Sequence, residues 1–483
     1  MIKEKPIPDF KYRNIIDDII EKIEKKQLTG KHHSVRSLAK EQGVGVSTVV
    51  QAYYELERLG WIEAQPKVGY FVISKKCTAQ PNYGKAIHYI QTDLSLDKAV
   101  QFSFNDPNIL PLSCTAPSSV IDNELLLNRL QKKALKNRPY KLLMQDPVEG
   151  LYALRHEITR HLSQSQQQFA PEQILITNGR KDCLLIALIA TQSLNGTIAV
   201  ESPTSFYFHS ILKQLNANII EVPIQGNYQE ELELLSKAHQ LQPFKTYLIN
   251  PNFADPTGRV LTNKNKQALI QWAENHNVTI IEYDRGELHF GTSRPCSIAS
   301  LVKSSSPCRV ITMSDFYDTI SPSISLGYLI CTNTLEACLF SKQVITEEPN
   351  INLQYMMIEL MQTKQYGQLM RQLHTGLKTS YTTALNLLLP AFSQIKSDDF
   401  YYSQVEGGPC IWIKLPDHLS SEVLWEKAIS AQLSIAPGDM FSFNQDYSQY
   451  FRITFALPWN EQMATGIKRL GELILAYVQS HQT

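Results

Sequence analysis

The sequence predicts an α/β protein with a large parallel sheet, a smaller α+β unit behind it and a compact helical head in front. Three observations carry that expectation. Between about residues 113 and 332, short β-type runs (ILITNG, GTIAVESP, ANIIEVPI, KTYLINPN, VTIIEYD, CRVITMSD, SLGYLICT) alternate with helical stretches. Such alternation makes a parallel sheet with crossover helices. After residue 345 the pattern changes to a long helical stretch followed by GGPCIWIKLP and YFRITFALP, and before residue 76 three short helical repeats precede two β-rich runs. The chain therefore divides into a head at 1–75, a linker at 76–112, a large domain at 113–345 and a small C-terminal domain at 346–483.

The bulk numbers agree with this partition. A chain of 483 residues suits two or three domains, and 43% hydrophobic with 19% charged residues is the balance of a globular protein. The apolar run LLIALIA at 184–190 is far short of a membrane span, and the opening MIKEKPIPDF has no apolar signal core, so a cytoplasmic location is expected. Eight cysteines without a C-x-x-C pair suggest neither a zinc site nor a disulfide framework. Net charge is zero, yet residues 1–76 hold 14 Lys and Arg against 10 Asp and Glu. A mildly basic head on a mildly acidic body is compatible with a nucleic-acid partner.

In the head, Ile15, Ile16, Ile19, Ile20 and Ile23 recur at helical spacing after Tyr12, which predicts an amphipathic helix ending near Gly30. SVRSLAKEQG is a second, short helix that closes at Gly43. VGVSTVVQAYYELERLG is a third, stopping at Gly60, with Val49, Val50, Tyr53, Leu56 and Leu59 expected on one face. WIEAQPKVGYFVIS reads as a hairpin wing around PKVG. Helix, turn and helix at this spacing is a DNA-reading unit whose second helix enters the major groove.

This head resembles the GntR winged helix-turn-helix. Ser34, Arg36, Leu38, Ala39, Gly43, Val44, Thr48, Val49, Ala52, Tyr53, Leu56 and Gly60 match the family run L-P-S-x-R-x-L-A-x-x-x-G-V-S-R-T-T-V-x-x-A-Y-x-x-L-x-x-x-G. The resemblance implies double-stranded DNA as partner, with Arg36 reaching it, Ser47 and Thr48 in the recognition motif, and Lys67 and Gly69 on the wing. The family's recognition arginine falls on Val46 and the later basic position on Gln51. Arginine is the commonest reader of guanine, glutamine pairs with adenine, and valine meets a thymine methyl, so a less guanine-dependent operator is expected. Val49, Tyr53 and Leu56 are expected in the core.

Residues 110–480 resemble the fold-type I aminotransferases and the aminotransferase-like half of MocR regulators. QDPVEGLYALRHEI, ITNGRKDCL, ESPTSFYF, NPNFADPTGRVL, IIEYDRGELHF and VITMSDFYDTISPSISLGY match their motifs in order. The resemblance implies an aminotransferase-like domain, a pyridoxal phosphate site and a homodimer, which gives two half-sites on operator DNA. In the register set by T-I-S-P-S-I-x-L-G-Y, the Schiff-base lysine falls on Asp318 and the phosphate arginine on Ser325. The phosphate serine falls on Asp315 or Phe316, the pyridine-nitrogen acid on Tyr283 and the adjoining tyrosine on Arg285; Glu282 or Asp284 would serve as the acid only with a register shift. The stacking aromatic falls on Ser205, beside Phe206, and the phenolate asparagine on Asp255. Gly179, Arg180 and Lys181 open a helix whose amides can hold an anion, and Arg452 matches the substrate-carboxylate arginine, free for a carboxylate ligand or for pairing with Asp315 or Asp318.

A carboxylate forms no imine, and no lysine lies between Lys303 and Lys342. Pyridoxal phosphate is thus expected from the family but without an internal aldimine at Asp318. A phosphate beside Asp315 and Asp318 would also meet a repulsion of about 4 kcal/mol at an effective dielectric of 20. The expectation is a regulator whose enzyme-like domain serves in dimerisation or in sensing an amine or amino-acid-like effector; a working aminotransferase with an appended head is the alternative. Asp255, Asp315 and Asp318 are expected in one cleft, countered by Arg285 and Arg452 or by a cationic ligand, with internal pairing favoured.

Overall fold

A computed structural model of the chain describes residues 11–24, 28, 30, 34–58, 61–65, 69–72, 100, 106–137, 147–290 and 293–481. Lys67, Leu59, Gly60 and most of the expected linker lie outside the described residues. The chain forms two compact units, Met1–Gln80 and Pro81–Thr483.

In the first unit, α1 (Lys11–Glu24), α2 (Val35–Glu41) and α3 (Val46–Arg58) precede an antiparallel hairpin of β1 (Ile62–Gln65) and β2 (Gly69–Val72). The Ser34 hydroxyl accepts the Ser37 amide at 3.2 Å and so caps α2. Gly43 ends that helix with φ 61°, a left-handed conformation that favours glycine. Ile15, Ile16, Ile19, Leu38, Ala39, Val49, Ala52, Tyr53, Leu56 and Ile62 form one core. Glu57 ties the wing to α3 by accepting the Ala64 amide at 2.8 Å, and the Tyr53 ring meets Tyr70 of β2 edge-on at 4.7 Å. Val50 departs from expectation. It is 49% exposed while Val49 is fully buried, because adjacent residues on a helix point about 100° apart.

The second unit is built on β3 (Ile174–Thr177), β4 (Thr197–Ser202), β5 (Asn218–Pro223), β6 (Thr246–Asn252), β7 (Thr279–Asp284), β8 (Val310–Asp315) and β9 (Gly327–Thr332). They form one sheet in the spatial order β3-β9-β8-β7-β6-β4-β5. The five strands from β8 to β5 pair in parallel, but β9 runs antiparallel to both β8 and β3. The sheet is therefore mixed where the sequence predicted a parallel one. A parallel return needs a crossover of a dozen or more residues, usually a helix; the connection 316–326 is a short turn, so β9 folds back beside β8.

A second sheet, antiparallel throughout, has the order β10-β11-β13-β12 (Tyr401–Tyr402, Cys410–Lys414, Tyr450–Thr454, Ala436–Pro437). Helices Lys364–Phe392 and Glu461–Gln479 bury Leu373, Leu377, Leu388, Ile467, Leu470 and Ile474 in the same core as Ile411 and Phe451. Residues 106–112, expected in the linker, already belong to this unit: the Leu110 amide donates to the Gln432 carbonyl at 2.9 Å, and the Ser434 amide donates back to Leu110 at 3.0 Å. Among the described residues no helix is long and apolar enough to cross a membrane.

Glu221 fastens β5 to the segment 442–444. Its carboxylate accepts the Ser202 and Ser442 hydroxyls at 2.9 Å each and the Phe443 and Asn444 amides at 3.1 and 3.2 Å. Burial pushes the carboxyl up to about 7 against the lowering effect of those donors. The folded value stands above the ordinary 4.5, so this group's contribution to stability is complete below that value and is lost as pH rises through 7. Glu221→Gln removes the titration and unpairs some donors. The variant should unfold below the wild type in acid, with the gap in melting temperature narrowing as pH rises from 4.5 to about 7 and then levelling off; a gap constant across the range would show that Glu221 does not titrate there.

Candidate functional site

The carboxyl ends of β6, β7 and β8 open on one side of the sheet, the place where α/β sheets bind ligands. Asp315 ends β8, and the chain turns at once: the Asp318 amide donates to Asp315 Oδ1 at 3.1 Å, and the Ile320 amide to the Phe316 carbonyl at 2.9 Å. Ser118 and Asn123 hold this turn by donating to the Tyr317 and Ile320 carbonyls at 2.6 Å each. Asp315 and Asp318 are buried side by side.

Arg285, just past β7, donates through Nε to Asp318 Oδ2 at 3.1 Å, with Nη2 at 3.0 Å. The Tyr283 hydroxyl donates to Asp315 Oδ2 at 2.7 Å and lies 3.4 Å from Asp318 Oδ2. Arg180, the first residue of the helix Arg180–Ala190, places Nη1 3.6 Å from Asp318 Oδ1. Its guanidinium carbon lies 4.8 Å from the Tyr207 ring centre and 4.3 Å from that of Tyr317. Two aromatic faces thus hold the cation where it meets the acid. On β13, Arg452 donates to Asp255 Oδ1 at 2.8 Å and to the Ser113 carbonyl, while the Ser205 hydroxyl donates to Asp255 Oδ2 at 3.0 Å.

Three carboxylates therefore face three guanidiniums. Burial by itself raises the Asp255 carboxyl, but Arg452 and Arg285 outweigh it and the group sits below its ordinary value. Asp315 is pushed up by burial and then by the Asp318 charge, with Arg180 and the Tyr283 hydroxyl only partly offsetting them. The difference is geometric, since Asp255 bonds an arginine directly and Asp315 bonds a phenol. Burial lowers Arg180 and Arg285, yet the neighbouring acids and Tyr283 leave both above their ordinary value.

The expected acids thus lie close together, but Arg452 pairs with Asp255 and with neither Asp315 nor Asp318. Arg180, read from the sequence as an anion-binding helix start, is the third cation of the cluster; Lys181 beside it is exposed. Ser325 is exposed and its backbone lies against Gly179, whose φ of 94° suits glycine. Glu282 and Asp284 cannot replace Tyr283, because successive residues of a strand face opposite sides. Glu282 accepts the Ile298 and Ala299 amides at 2.7 and 3.0 Å, and Asp284 pairs with Arg294 and accepts Asn252 at 2.8 Å. Among the described residues the two buried lysines are tied elsewhere, Lys266 to Asn252 Oδ1 at 2.6 Å and the Cys296 carbonyl at 2.7 Å, Lys342 to the Val148 carbonyl. Tyr207 and Tyr317 were missed; each directly follows residues singled out in the sequence, but only the turn brings their rings to Arg180.

In the head, Arg36, Val46, Ser47 and Gln51 are exposed and Thr48 is half-buried. Gly69 opens β2 with φ 125°, and Lys67 lies outside the described residues.

A winged helix-turn-helix joined to an aminotransferase-type α/β body is the architecture of a MocR-type transcription regulator. The chain belongs to the aminotransferase class I and II family, whose model matches residues 122–470, and its head matches bacterial regulatory proteins of the gntR family over residues 11–72. It is 27% identical over 450 residues to the uncharacterized HTH-type transcriptional regulator YjiR of Escherichia coli (strain K12), covering 91% of this chain and 93% of that one. It is 25% identical to the HTH-type transcriptional regulator NorG of Staphylococcus aureus (strain USA300), covering 66% and 70%. In fold it resembles LysN, an alpha-aminoadipate aminotransferase from Thermus thermophilus, with a TM-score of 0.69 at 20% identity over 81% of this chain and 96% of that one.

Breaking a buried ion pair from one side leaves an uncompensated charge and costs about 3–5 kcal/mol. Asp318→Asn should lower the urea-unfolding free energy of the second unit by roughly that amount. Asp318→Leu combined with Arg285→Met should recover part of the loss; if the double variant is less stable than the single one, the pair is not the governing contact.

Proposed function

We propose that this chain regulates transcription as a DNA-binding homodimer, and that its aminotransferase-type domain acts as a scaffold whose site is neutralised from within. The observation that carries the proposal is the buried Asp318 between Arg285 and Arg180. A carboxylate at the position of the Schiff-base lysine forms no imine and moves no proton at a substrate's Cα. Nor do the residues present fit pyridoxal phosphate. Two buried carboxylates stand where a phosphate would lie, Tyr283 gives its hydroxyl to Asp315 instead of accepting a pyridinium proton, and Asp255 is taken by Arg452.

With three acids matched by three arginines, no cationic effector is needed to make the site neutral. The domain then contributes what its fold provides without a cofactor, a large packed body that brings two heads to two half-sites. An amine or amino-acid-like effector remains the second reading, favoured only by Asp315, the one acid of the three without a direct arginine bond.

Two measurements test this. Protein mixed with pyridoxal phosphate, reduced with borohydride and digested should yield no pyridoxyl adduct in peptides spanning 303–342, and its spectrum should lack the visible aldimine band; an adduct tied to transaminase turnover would restore the enzyme alternative. Amines that raise the melting temperature of the wild type but not of Asp318→Asn would replace the scaffold with a sensor. For the head, Arg36→Ala should weaken binding to duplex DNA about equally across sequences and reduce the salt dependence by about one phosphate contact; unchanged affinity and slope would remove Arg36 from the interface.

A further inference from the structure

The outer face of α3 is apolar. Val46 is 50% exposed, Val50 49% and Tyr54 61%. They recur at every fourth residue, so they form one stripe with a rise of about 6 Å between successive members. Val49, Tyr53 and Leu56, the inner face of the same helix, are fully buried, so the stripe is not spare core packing. Ser47 and Gln51 flank it, also exposed.

We propose that this stripe reads thymine methyl groups, so that the operator half-site is defined by T·A pairs rather than by guanines. The inference rests on the head binding DNA and adds what it recognises. Val46 is the first residue of α3, at the end of a recognition helix that meets base edges. Arg36 and Lys40 on α2 are exposed and carry the positive charge that phosphates beside the groove require. A protein partner would use the apolar stripe but has no need of both cations in α2. In the major groove thymine shows its C5 methyl and adenine its N6 and N7; valine fits the first and glutamine the second. Val46 and Val50 therefore meet methyls one or two base steps apart, given a rise of about 3.4 Å per step, and Gln51 meets an adenine of the same pairs. Neither valine offers the bidentate donors that guanine O6 and N7 call for. Tyr54, two turns in, lies where the helix leaves the bases and covers sugar and backbone.

The test starts from full-length protein and a random-sequence duplex library. The recovered duplex is then rebuilt with each thymine in turn replaced by deoxyuridine, which removes only the methyl. Two or more positions in each half-site should lose affinity by roughly fourfold apiece, the worth of one buried methyl. In Val46→Ser combined with Val50→Ser the same replacements should cost clearly less, and Gln51→Ala should relax the preference for adenine. Both valines are half exposed, so the variants keep the fold, and the deoxyuridine series needs no variant at all. If deoxyuridine costs the wild type nothing, or costs wild type and variant equally, the stripe does not read methyls and faces another surface, while DNA binding stands. If no duplex is enriched, the DNA reading of the head falls as well.

Discussion

The ion pair between Asp318 and Arg285 is the constraint around which the carboxyl edge of the sheet is arranged. A buried carboxylate is tolerated only when a cation and hydrogen-bond donors meet it, and the groups that meet this one come from two separate parts of the chain. Arg285 follows β7, Arg180 opens the helix after β3, and Tyr283 lies within β7. The same turn that buries Asp318 sets its amide on Asp315 and its carbonyls on Ser118 and Asn123. Charge balance therefore fixes the connection between β8 and β9 as firmly as apolar packing fixes the strands.

The other face of β7 is organised on the same principle with different partners. Glu282 is met by two amides and the Thr312 hydroxyl, and its carboxyl is pushed up to about 7 by burial and then by the Asp284 charge. Asp284 is met by Arg294, whose Nε faces Glu287 at 3.3 Å. Burial favours protonation of Glu287, yet His161, Arg294 and His374 together hold it well below its ordinary value. A slip of one residue along β7 would drive Glu282 among the arginines and strip Tyr283 from Asp315. The two polar networks thus pin the strand register, which apolar alternation alone would leave less specified because β7 is buried on both faces.

The head is governed by packing instead. Its buried positions are aliphatic or aromatic, Ser34 caps α2, and the contacts that join wing to helix include the packing of Ile62, the Glu57–Ala64 hydrogen bond and the Tyr53–Tyr70 ring pair. That leaves the outer face of α3 free of structural duty. Val46 and Val50 lie there, half exposed and outside that core, so their lack of charge is not set by the packing of the head.

Much of this was legible in the sequence. Periodicity of 3.6 gave the three head helices, and short β-branched runs gave every strand from β3 to β9, because both signals depend on residues close in the chain. The three acids and two of their arginines, Arg285 and Arg452, were legible through motif register, and so was the expectation of internal pairing; Arg180 was legible only as a helix start suited to an anion. Tertiary structure decided the pairing. Arg452 takes Asp255 and leaves Asp318 to Arg285 and Arg180, since β13 delivers its guanidinium beside the turn after β6, a contact between residues 197 positions apart. It also decided that β9 runs antiparallel. Local pattern sets which residues are buried, but charge partners and strand direction depend on where distant segments meet, and only the closed fold supplies that.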